Sequence, residues 1–222
     1  MSKQYIFIYD NEWFDSTSLK NPIPTLDHKL EAYFPEFYET HYELRIVAAE
    51  PASLEEKSAP FYNDYRERYG VSDISSLDET IKSARPKSVF FNGFDQKLFL
   101  SIAPKLMETV EVIYLYKCPK IQDLSVLSQF TRLKCVHIYW NHSLEILWDM
   151  TSNPQLKVLS CTAISKLRNV DALKNASVEY VHLDSLDHSG NKQKALFDTA
   201  VFDQMQHLKH LSLNYKNFFV ER

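Results

Sequence analysis

Five stretches of the chain open with the same apolar spacing at a nearly constant interval, and such a period leaves few architectures open. They are Val110/Ile113/Leu115, Leu133/Val136/Ile138, Leu156/Leu159/Cys161, Val178/Val181/Leu183 and Leu208/Leu211/Leu213, apolar at positions one, four and six. Successive starts lie 23, 23, 22 and 30 residues apart. A unit of that length cannot bury an apolar face by itself, so consecutive units must stack, and the period predicts a solenoid. Pro86/Val89/Phe91 supplies a degenerate sixth unit ahead of the five.

Within each unit, positions four and six share one face of a strand because strand side chains alternate. A second apolar ladder follows with threefold spacing: Ile121/Leu124/Leu127/Phe130, Leu144/Leu147/Met150 and Leu167/Val170/Leu173/Ala176. Threefold spacing fits a helical or 3₁₀ return path better than a second alternating strand. The expected unit is strand, turn, short helix, and the expected fold is α/β.

Val110-x-x-Ile113-x-Leu115-x-x-Cys118 and Leu133-x-x-Val136-x-Ile138-x-x-Asn141 follow the pattern L-x-x-L-x-L-x-x-N/C. The chain therefore resembles leucine-rich repeat proteins over residues 83–219. The downstream Ile121-x-x-Leu124-Ser-x-Leu127 is similar to the short internalin-type bacterial class, with its ladder one residue late. The resemblance implies a right-handed curved superhelix with a parallel sheet on its concave face. Ile164 and Leu186 replace the Asn or Cys of the third and fourth units. The polar ladder along the turns is therefore expected to be incomplete.

Residues 1–82 do not fit the repeat. They carry a net charge of −8 against +4 for residues 83–222, a division that coincides with the start of the repeats. A strand over Tyr5–Tyr9, a helix over 25–34 stopped by Pro35, a strand near 42–48 and a helix over 53–69 are predicted. A short helix opened by the capping box at Ser76 and Glu79 follows. Solenoid ends need covering, so this α+β region reads as an acidic N-terminal cap.

Several function classes are disfavoured. The formal net charge of −4 argues against a dedicated nucleic-acid surface. Only three glycines occur, Gly70, Gly93 and Gly190, too dispersed for a dinucleotide fingerprint, a P-loop or a nucleophile elbow. No small-molecule cofactor is expected. The apolar run at Tyr5–Tyr9 is too short for a membrane span or a signal peptide. Cys118, Cys135 and Cys161 lack a Cys-x-x-Cys spacing and read as thiols in a cytoplasmic protein that does not meet the membrane.

Positions three, five and seven of the strands point away from the core, onto the face expected to be open. They include Tyr114, Tyr116, His137, Tyr139, Tyr180, His182, Asp184 and His210, and Trp140 follows at position eight. Tyrosine, tryptophan and histidine on a solvent face, in place of lysine and glutamate, predict a site for another protein. Ordinary cross-strand packing is the alternative reading. His182, Asp184 and His210 fall on neighbouring strands and suit zinc chemically, but with no diagnostic spacing, and no metal is expected. The polar excess near residues 187–197 reads either as a recognition loop or as tolerated drift of one repeat.

The expected function is a non-catalytic interaction module, a scaffold or regulator. Two rivals stand beside it: an immunity protein that occludes a toxin, and an enzyme whose site lies in residues 1–82, built from Asp10, Glu12 and Asp15 with His28 or His41.

Overall fold

The computed structural model describes residues 5–9, 44–49, 74–186, 191–217 and 219–222. Among the described residues, short alternating segments separated by turns become nine strands of one sheet, arranged in chain order. They are β1 (Tyr5–Tyr9), β2 (Leu44–Ala49), β3 (Ser88–Asn92), β4 (Val112–Tyr116), β5 (Cys135–Tyr139), β6 (Val158–Thr162), β7 (Tyr180–Asp184), β8 (His210–Asn214) and β9 (Phe219–Glu221). β2 to β8 run parallel, while β1 and β9 pair antiparallel at the two ends. Two α-helices are described, α1 (Ile74–Ala84) and α2 (Gln96–Ile102). The fold is α/β, with a mostly parallel sheet and, among the described residues, few helices.

The register is constant. Ser88 faces Val112, which faces Cys135, then Val158, Tyr180 and His210, so each unit position meets the same position of the next unit. Before each strand, one carbonyl accepts two N–H groups of the next unit: Glu111 O takes Lys134 N at 2.7 Å and Cys135 N at 3.1 Å, and Lys134 O takes Lys157 N and Val158 N. The same arrangement joins Lys87 to Glu111 and Val112, Lys157 to Glu179 and Tyr180, and Glu179 to Lys209 and His210. At the far end Lys117 N donates to Tyr139 O and Trp140 N to Thr162 O, both at 2.9 Å.

Positions four and six fill the core. Val89, Phe91, Ile113, Leu115, Val136, Ile138, Leu159, Cys161, Val181, Leu183, Leu211 and Leu213 are all buried, and the threefold ladders close over them from the return path. That path is α2 in the first unit. In the later ones it is 3₁₀ turns at Ser125–Gln129, Met150–Ser152, Asp171–Leu173 and Thr199–Gln204. Burial of the thiols pushes Cys118 up to about 12 and Cys161 higher still, so both remain protonated small hydrophobes.

Asn141 secures the turn after β5: its Nδ2 donates to Ile121 O at 2.8 Å and its Oδ1 accepts from Ser143 N and Leu144 N. The Cys118 thiol faces the carbonyls of Phe91 and Tyr116 at 3.7 and 3.4 Å. Asn153, which the repeat pattern does not single out, joins two return paths. Its Nδ2 donates to Leu127 O and Phe130 O, and its Oδ1 accepts from Trp148 Nε1.

Three details depart from expectation. α1 begins at Ile74, two residues ahead of the Ser76 cap. β9 adds a strand that the repeat pattern does not predict. And β2, from the acidic side of the charge division, continues the same sheet, with Leu44 and Ile46 in the same core. The helices expected over 25–34 and 53–69, and the acids and histidines of the enzyme rival, lie outside the described residues. Among those described, no helix is long and apolar enough to cross a membrane.

Candidate interaction site

Parallel strands in register bring equivalent side chains together, and on the face opposite the core this builds a row of rings. Tyr116 stacks between Phe90 (centroids 5.5 Å, planes 29° apart) and Tyr139 (5.2 Å, 19°). Tyr114 lies edge-on to Phe90 and to His137, at 5.2 and 5.6 Å.

The chain then turns sharply. The residue after each of four strands takes a left-handed conformation: Gly93 (φ 74°), Lys117 (49°), Trp140 (59°) and Ala163 (57°). Only glycine adopts this at no steric cost. The turn swings Lys117 back over its neighbours, with its ammonium 5.1 Å from the Tyr116 ring centre and 5.0 Å from that of Trp140. Trp140 also meets Tyr139 and His142 edge-on.

The nine residues predicted as a site therefore separate into two groups. Tyr116, Tyr139 and Trp140 remain half-exposed at the C-terminal ends of β4 and β5. The other six are buried, from Tyr180 at 0% and Tyr114 and His137 at 1% to His182 at 9%, with His210 and Asp184 between. The expectation of a wholly open face is corrected. Alternation along a strand assigns a side chain to a face but does not say whether that face stays open, and here large neighbours in register shield one another. Tyr180 and His210 stack at 4.7 Å, His182 Nδ1 lies 3.1 Å from Ser212 Oγ, and Asp184 accepts from Asn214 Nδ2 at 2.6 Å and from Leu186 N.

These hydrogen bonds engage His182 and Asp184, His210 is stacked on Tyr180, and no cluster of three metal-ligating side chains occurs among the described residues. Cys135 Sγ lies 3.1 Å from His137 Nε2, a thiol–imidazole pair that no motif or spacing announces. Both are essentially sealed from solvent, so no substrate reaches them in this conformation.

Sequence reasoning missed the buried Phe90, the exposed Lys117 and the half-buried His142 as neighbours of these three rings. The signal for Lys117 was its place one residue beyond the strand, equivalent to Gly93. Of the polar insertion, Leu186 and Lys192 form a bridge, Gln193 N donates to the Ser185 hydroxyl, and Ala195 N donates to Asn217 Oδ1. Residues 187–190 lie outside the described set. Comparison with protein-family models, curated proteins and solved structures returned no match to this chain.

Proposed function

We propose that the chain is a solenoid of the leucine-rich repeat type, with an acidic N-terminal cap, that binds another protein without catalysing a reaction. Its binding surface is the ring cluster at the C-terminal ends of β4 and β5. The observation that carries this reading is the contrast on one face: most of its side chains are buried, while Tyr116, Tyr139 and Trp140 stay half-exposed beside Lys117. Aromatic anchors surrounded by packed neighbours are the usual composition of an interface hot spot. Constant register and the Asn141 turn support the repeat reading. The three cysteines form no disulfide, which supports a reducing, cytoplasmic setting.

A photoreactive phenylalanine analogue at Tyr139 should capture a protein from native lysate that the same analogue at Gln129, exposed on the return path, does not. Tyr139→Ala and Trp140→Ala should then weaken binding of that protein at least about tenfold, while Gln129→Ala does not. Equal capture at both positions overturns the assignment.

A further inference from the structure

The two ends of the strands treat their lysines differently. Before the strands, lysines are matched: Lys134 pairs with Glu111 at 2.6 Å, and Lys157 and Lys209 share Glu179 at 2.6 and 2.7 Å. After the strands, the nearby acids are already engaged. Asp95 accepts from Leu98 N, Asp123 from Ser125 N, and Glu145 pairs with Arg168. Lys117 and Lys166 have no carboxylate partner among the described residues.

Lys117 is also held in place. Its backbone N–H is bonded to Tyr139 O, and two aromatic rings fix its ammonium. Cation–π contact positions a charge without neutralising it. Of the adjoining rings, Tyr116 presents mainly its rim, since Phe90 and Tyr139 stack against it. Ring rims are electropositive and favour acceptor oxygens, whereas a sugar or nucleobase needs an uncovered face. The Tyr116 and Tyr139 hydroxyls make no hydrogen bond among the described residues. Burial, and secondarily Tyr116 beside it, raises the Tyr139 phenol above its ordinary range, which keeps it a donor.

We infer that this cluster recognises an acidic peptide segment of the partner, a carboxylate docking against the Lys117 ammonium and the hydroxyls of Tyr116 and Tyr139. The inference rests on the interaction reading above and names the chemistry of its partner.

The test is fluorescence anisotropy on the full chain with three labelled probes: a short Asp/Glu-rich peptide, its Asn/Gln counterpart, and a single-stranded oligonucleotide of matched charge. The acidic peptide should bind at least about tenfold tighter than the neutral one, with an affinity that falls as salt rises. Lys117→Met, which keeps the stem over the rings, should cost about tenfold. Tyr139→Phe should cost a few-fold, and Lys82→Met on α1 nothing, all with unchanged melting temperatures. Equal binding of the neutral peptide, indifference to Lys117→Met, tighter binding of the oligonucleotide, or no binding at all would each overturn the inference. Crosslinking at Tyr139 separates the two readings. A captured protein whose affinity ignores Lys117→Met leaves the interaction face standing and removes its acidic specificity, and no capture there removes both.

Discussion

Asn153 and Gly93 show how much a single side chain, or the lack of one, fixes in this molecule. Asn153 satisfies two backbone carbonyls of the preceding return path and the indole of Trp148, all buried. Asn153→Ala leaves those groups without partners and should cost about 2–4 kcal/mol in urea unfolding, more than any exposed asparagine such as Asn175. A Cβ on Gly93 would lie 2.5 Å from the Ala48 carbonyl oxygen, at a φ that L-residues avoid. Gly93→Ala should therefore lower stability by about 2 kcal/mol or more, and a melting temperature equal to wild type would show that β2 yields. Leu159→Asp, which buries an unpaired carboxylate, should unfold the repeats, whereas Tyr139→Ala should barely shift the melt. At this scale the sequence was partly legible. Inward residues announce themselves by spacing, but the left-handed position is signalled only by glycine, and Lys117, Trp140 and Ala163 conceal it.

Among the elements, β4 to β8 were legible because each carries the full apolar signature, β3 from a degenerate form of it, and β1 and β2 because short apolar runs stand between polar stretches. β9 was not: Phe219-Val220-Glu221 is three residues long and outside the period, and its place is set by pairing with β8. The salt bridges ahead of the strands were also illegible, since they join residues 22 to 30 positions apart by register alone. They predict a pH response. Hydrogen bonds from Lys157 and Lys209 hold Glu179 below its ordinary 4.5, against a smaller opposing effect of burial. A lowered folded pKa contributes stability above about pH 4.5 that is lost as pH falls through the lower folded value. Glu179→Gln should therefore flatten the acid limb of a stability–pH curve measured between about pH 6 and pH 3. The difference should stay below about 1 kcal/mol, because the lysines remain 39% and 69% exposed and water screens the pair.

At the scale of the whole molecule, one apolar cluster runs without a break from Leu44 to Tyr215. Removing residues 1–82 strips β1 and β2 from the edge of β3 and uncovers the core around Val89 and Phe91. The fragment from Ser83 onward should therefore aggregate or oligomerise in size-exclusion chromatography. A monodisperse folded fragment would show that β3 tolerates an open edge. Of the candidate cluster, Tyr116, Tyr139 and Trp140 were legible as face residues, whereas Lys117 and the burial of the other six predicted residues were not, because alternation fixes a side chain's direction and leaves its cover to the rest of the fold.

The repeated joint, in which one carbonyl takes two N–H groups of the following unit in unchanged register, has a genetic consequence. Any two such joints are interchangeable, so a tandem copy of residues 133–155 spliced in after Gln155 would meet on each side the same bonding it already has. A protein built this way can gain one strand by a single in-frame duplication, while the antiparallel strands at both ends keep marking where the array stops.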